Sequence, residues 1–196
     1  MYRINQLEKA MNKEEPANSL PHAKHSSTLE QTSRITPEQR AIITDTFRMM
    51  EEDSRRNGIN IFVRLFSEFP NYKDIWPQFQ GITDSSLMGA AELHKHAVVY
   101  MHGLHTIIGS IDDDHTLAEQ LRKIAQAHLR WGVRKFHVQN MLPEVLATIN
   151  MCMGGMKPEI QDAWTTLFSV IASLVEEYRL EGEHEQNYRK GHGGHK

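Results

Sequence analysis

An all-α domain is the fold class this sequence predicts, and three observations predict it. No stretch alternates apolar and polar residues for long enough to make a strand. Apolar residues recur instead at helical spacing, most cleanly at Leu117, Leu121, Ile124 and His128, which fall at i, i+4, i+7 and i+11. Helix starts are written in capping residues, as in Thr36-Pro37-Glu38-Gln39, where threonine suits the N-cap, proline the first turn and glutamine the far end of a capping box. About seven helical segments follow from such signals.

Taken in order, residues 1–34 mix charged and polar side chains with Pro16 and Pro21 and read as a flexible extension, with some helix possible over residues 2–13. The domain proper spans residues 35–180. Its first helix starts after Thr36 and carries Ile42, Ile43, Phe47 and Met50 on one face. Residues 51–57 form a charged turn. Gly58 then sits at or inside the next helix, where a missing side chain lets a crossing helix approach closely. Ile61, Phe62, Leu65 and Phe66 are that helix's buried face, and Pro70 ends it. Residues 71–80 carry Tyr72, Trp76 and Phe79.

Asp84-Ser85-Ser86 caps a long helix reaching Gly109, with His96, Tyr100, Leu104 and Ile107 on one face. Thr116 and Glu119 make a second capping box for the helix that ends with His128. The acidic run Asp112-Asp113-Asp114 before it suits the helix dipole, and lacks the glycine and alternating oxygens of a calcium loop. The next helix covers Lys135–Met153, with Val138, Met141, Val145 and Ile149 as its stripe. Pro143 implies a kink or a late start, and Gly154-Gly155 a stop. Pro158 opens the last helix, whose face is Ile160, Trp164, Leu167, Phe168, Ile171, Leu174, Val175 and Tyr178. Residues 181–196 read as a disordered tail, its histidines solvated.

A chain of 196 residues with 39% apolar content supports one domain with a sizeable core. The net charge of −3 argues against a nucleic-acid binder. The uncharged run at residues 163–175 is too short to span a bilayer, and no transmembrane segment is expected. The opening Met-Tyr-Arg-Ile-Asn has neither a signal core nor a glycine for myristoylation, and Cys152 is the only cysteine. A cytoplasmic location is the expectation, with Cys152 a buried core residue.

The chemistry points to His96 and His128. Histidines on the apolar faces of consecutive helices could close on one metal from opposite sides, and a flat iron-centred cofactor suits such a slot. A hydrogen-bonded core role fits either residue as well. His94 lies roughly 160° around the helix from His96 and reads as solvent-facing. His102 and His105 form an i, i+3 pair with no third ligand evident.

The order of features from residue 35 to 180 resembles the globin family. Ile61-Phe62-Val63-Arg64-Leu65-Phe66 before Pro70 is similar to the second globin helix and the proline that follows it. Trp76 and Phe79 come six and nine residues after that proline, where globins carry aromatics at the haem edge, although phenylalanine is usual at the position of Trp76. Leu93-His94-Lys95-His96-Ala97 resembles the distal-histidine motif and His128 before Gly132-Val133 the proximal one. Their separation, 128 − 96 = 32 residues, is similar to that of neuroglobin-type members.

The resemblance implies a globin fold around a b-type haem (iron protoporphyrin IX). His128 would be the proximal ligand, its second nitrogen donating to a nearby carbonyl or side chain. His96 would either hydrogen-bond a diatomic gas or ligate iron itself. Phe62, Trp76, Phe79, Tyr100, Leu121, Ile124, Val133, Val138 and Met141 would line the cofactor. Tyr100 is bulkier than the aliphatic residue usual there, and its hydroxyl needs a partner if buried. Two functions then stand open: a six-coordinate, bis-histidyl globin in electron transfer or redox and oxygen sensing, or a reversible binder of oxygen or nitric oxide for storage, transport or scavenging. Neither is enzymatic; nitric oxide dioxygenation would need a reductase partner. Carbon monoxide is a further expected ligand, and an electron donor or signalling partner the expected protein contact.

Overall fold

Thr36 starts the first helix as its sequence implies. Its hydroxyl accepts from the Gln39 backbone N–H while its own N–H donates to the Gln39 side chain, at 3.3 and 3.1 Å. The computed structural model describes residues 28–192 and contains, from Pro37 onward, α1 (Pro37–Glu51), α2 (Ser54–Glu68), α3 (Asp84–Leu87), α4 (Ala91–Gly109), α5 (Asp114–Leu129), α6 (Lys135–Met153) and α7 (Pro158–His192). Two 3-10 turns, Pro70–Ile75 and Pro77–Phe79, join α2 to α3. No strand occurs among the described residues.

The last helix is the axis of the core. Every residue of its expected face is buried, and it packs on α5, α6 and α1. The fully buried Trp164 ring needs a partner for its N–H, and Thr46 on α1 supplies it at 2.9 Å. On the other side α2 crosses α4 and α6. Gly58 is what lets α2 approach α4. A Cβ there would lie 2.9 Å from Met101 Cγ, 3.0 Å from the Ala97 carbonyl oxygen and 3.1 Å from Ala97 Cβ. Gly58→Val is therefore expected to destabilise the fold by about 1–3 kcal/mol, because the obstacles include backbone. A urea melt checks this: the midpoint should fall with the slope unchanged.

Several boundaries differ from the sequence reading. The charged turn shrinks to two residues, Glu52 and Asp53, with α2 already helical at Ser54. The helix expected to run unbroken from Asp84 is split: Asp84–Leu87 is a single turn, Ala90 is extended, and α4 starts at Ala91. Gly89 at the break is a poor helix residue. The α5 cap is Asp113, which accepts the Thr116 N–H at 2.8 Å, so the Thr116–Glu119 box does not form. Pro143 lies within α6, which starts at Lys135, so the late start is excluded. Gly154 closes α6 at φ +68, a left-handed position that suits glycine. Cys152 is half-buried, at the edge of the core. The last helix runs to His192, through the segment read as a disordered tail. Glu, Gln, Arg and Lys dominate residues 181–190 and favour helix enough to carry it past Gly182.

The extension is also shorter than the sequence suggested. Residues 28–32 are helical and pack against the domain, with Thr28 and Thr32 buried. The Thr28 and Tyr178 hydroxyls are 3.2 Å apart, and Arg34 donates to Ser169 at 3.0 Å. Buried Arg40 ties this segment to the α4–α5 corner. It donates to the carbonyls of Thr32, Ile35 and Ile111 and pairs with Asp114. The segment expected to be helical within residues 2–13 lies outside the described residues. A chain beginning at Thr36 is expected to be about 2–4 kcal/mol less stable than one beginning at Thr28, since it loses buried Ile35 and two partners of Arg40. Differential scanning calorimetry of the two chains measures this. Equal midpoints would show that the segment adds nothing.

Candidate haem site

Helices α4 and α5 each bring one histidine to the same cavity, of about 130 Å³. His96 stands in the second turn of α4, and the close contact at Gly58 presses that turn against Phe62 of α2. The His96 ring centroid is 4.7 Å from that of Phe62, 4.8 Å from Trp76 and 5.4 Å from Phe79. Burial pushes its pKa down to about 3, and the nearby His128 adds to the shift.

His128 closes the last turn of α5. Its Nδ1 lies 2.7 Å from the Ile124 carbonyl oxygen, one turn back. A carbonyl only accepts, so Nδ1 carries the proton and Nε2 is left with its lone pair. Burial also lowers the His128 pKa, partly opposed by this hydrogen bond. Both imidazoles are therefore neutral at neutral pH, the form that binds metals.

Around them the wall is almost wholly apolar. Of the residues expected to line a cofactor, Phe62, Trp76, Tyr100, Ile124, Val133, Val138 and Met141 do line the cavity. Two do not. Phe79 is buried behind Trp76 and packs edge-on to Phe66. Leu121 is buried in the helical core below the cavity. Tyr72 and Ile75 of the 3-10 turn line the cavity too; the sequence reading missed Val99 and Gly103 of α4, Trp131 and His137 around the α5–α6 corner, and Phe168, Ile171 and Val175 of α7.

Three other histidines are accounted for elsewhere. His94 Nε2 is 2.9 Å from the Met88 carbonyl oxygen, and His105 Nδ1 is 2.6 Å from the Glu51 carboxylate. The His102 ring stacks 6.3 Å from that of His105. Among the described residues no cluster of three or more His, Cys, Asp or Glu side chains is arranged to hold a metal ion.

Two polar atoms in this wall are buried without a hydrogen-bond partner: the Tyr100 hydroxyl and Trp131 Nε1. Each costs about 1–3 kcal/mol unless a bound group satisfies it. An apolar slot, two neutral imidazoles and two unsatisfied polar atoms together fit a flat, largely apolar cofactor with polar edges and an iron centre.

A family model described as Globin matches residues 59–175, more than half of the chain. The chain belongs to the globin family. This globin is 27% identical over 150 residues to cytoglobin-1 of Oryzias latipes, covering 75% of this chain and 85% of that protein. It is 21% identical over 157 residues to neuroglobin of Danio rerio, covering 79% and 99%. Among solved structures, a double mutant of myoglobin from Aplysia limacina superposes with a TM-score of 0.67 at 17% identity, over 72% of this chain and 96% of that one. The all-α fold with a haem-binding slot is thus a globin fold, and haem binding goes with the family. Among the described residues, no helix is long and apolar enough to cross a membrane.

Proposed function

We propose that this globin holds a b-type haem between His96 and His128, with both imidazoles on the iron, and acts in electron transfer or in redox and oxygen sensing. The observation that carries the reading is a pair of neutral histidines facing one cavity from two helices, with the His128 Nδ1 proton already committed to Ile124. The cofactor is unattached by thioether in this reading, since the only cysteine, Cys152, does not line the cavity. A haem held by His96 and His128 would supply one-electron redox chemistry, and two histidine ligands would keep its potential lower than histidine with methionine would.

The protein's own residues do the rest. The Ile124 carbonyl fixes the tautomer and orientation of His128 and raises its basicity as a ligand. Phe62, Trp76 and Phe79 form an aromatic cage that holds the His96 ring. Trp131 Nε1 would donate to a polar edge of the cofactor. The role is not enzymatic in this reading, and the location is cytoplasmic.

One observation favours the second reading, reversible binding of oxygen or nitric oxide: the unpartnered Tyr100 hydroxyl on the His96 side. The spectrum of the reduced protein separates the two. Sharp, split bands of a low-spin six-coordinate haem are expected. A single broad visible band, the mark of five coordination, would overturn the bis-histidyl reading and leave gas binding in its place.

A further inference from the structure

The Tyr100 hydroxyl is the feature that a closed, bis-histidyl pocket does not use. Tyr100 follows His96 by one helical turn and so shares its face of α4. Phe62 meets its ring edge-on at 5.2 Å, which wedges it between α2 and the cavity. Its oxygen is buried, faces no acceptor among the described residues, and belongs to a cavity-lining side chain. Apart from His96, the other lining residues of α2 and α4, Phe62, Leu65, Val99, Gly103, Leu104 and Ile107, offer no polar side-chain atom. An aliphatic residue or phenylalanine would fill this volume without leaving an orphan hydroxyl.

We propose that Tyr100, and not His96, is the hydrogen-bond donor that recognises a polar diatomic gas in this pocket and sets its preference over carbon monoxide. The inference rests on the haem-binding reading above. With His96 committed to the metal or swung aside to admit a ligand, Tyr100 remains as the donor within the same wall. A diatomic that gathers negative charge on its outer atom gains from an O–H aimed at it, whereas carbon monoxide gathers little. Burial pushes the tyrosine pKa well up, so the hydroxyl keeps its proton and acts as a donor at any physiological pH.

The test compares His96→Leu with His96→Leu/Tyr100→Phe, so that His96 competes in neither protein. Adding Tyr100→Phe should speed oxygen dissociation from the ferrous protein about tenfold, the loss of one good hydrogen bond. Carbon monoxide dissociation should change less than about twofold. The infrared stretch of bound carbon monoxide should shift upward as the positive field of the hydroxyl is lost. Unfolding of the cofactor-free single variant Tyr100→Phe is a separate readout: its midpoint should equal or exceed that of the wild type, because the hydroxyl has no partner there. Equal changes for both gases, or none for oxygen, would overturn the proposal. So would a clear drop in apoprotein stability, which would reveal a structural partner. The reduced wild-type spectrum reports His96 ligation independently, so failure of the bis-histidyl reading is distinguishable from failure of this one.

Discussion

His128→Ala is expected to abolish stoichiometric haem retention. The purified variant should show a Soret-to-protein absorbance ratio near zero, or release haem to a scavenging apoprotein at once. Among the described residues, the histidine has no substitute on its side of the cavity. Its neighbours in the wall, Ile124, Ala127, Val133 and Val138, carry no ligating atom. Trp131 presents an N–H, which donates and cannot coordinate. His137 also lines the cavity, but its Nδ1 accepts the Arg134 N–H at 2.9 Å, which ties the ring to the first turn of α6. Disturbing a group that merely orients a metal ligand costs roughly 10–100-fold in affinity, so losing the ligand itself should cost more than about a hundredfold. Far-UV circular dichroism should show the helices intact, since His128 is half-buried and its ring hydrogen-bonds to a carbonyl of its own helix, α5. An unchanged haem spectrum in the variant would refute the proximal assignment.

What could be read from the sequence was whatever a helix repeats. Ile61, Phe62, Leu65 and Phe66 are all buried, as is the whole expected face of α7, because a 3.6-residue period marks one side of a helix regardless of its neighbours. Gly58 was legible for a related reason: a glycine inside a helix costs stability unless close approach repays it. The period does not say where along a stripe the core ends and the cavity begins. Leu121 and Ile124 share a stripe with His128, yet only Ile124 reaches the cavity. Leu121 is two turns below the histidine and meets the core.

Phe168, Ile171 and Val175 show the complementary failure. Their burial was evident, but what they face depends on how α7 docks on α5 and α6, and nothing local encodes that docking. Trp131 and His137 were missed because they flank a corner, where no period operates. A tryptophan three residues after a candidate ligand was the available signal. The last helix continues past Gly182 because several good helix formers offset its penalty of about 1 kcal/mol.

His96→Leu is expected to convert the reduced protein to a five-coordinate haem and to speed carbon monoxide binding about 10–100-fold. The size follows from competition. If the native imidazole leaves the iron free for only roughly 1–10% of the time, the apparent binding rate is cut by that fraction, and removing the competitor restores it. The structural reason to expect such competition is the environment of the ring. Burial holds His96 neutral, with its pKa near 3, among Phe62, Trp76 and Phe79, none of which offers a carbonyl or carboxylate to its nitrogens. A polar group in such a cage costs about 1–3 kcal/mol if left unsatisfied, and a metal bond is what could offset that cost. Leucine carries no such cost, so the cofactor-free variant should be at least as stable as the wild-type apoprotein. Stopped-flow mixing of the ferrous protein with carbon monoxide reads the rate, and thermal unfolding of the apoprotein reads the cage. Equal binding rates would mean that His96 does not hold the iron at rest. A strongly destabilised apoprotein would mean that the ring packs for its own sake, as a core histidine does.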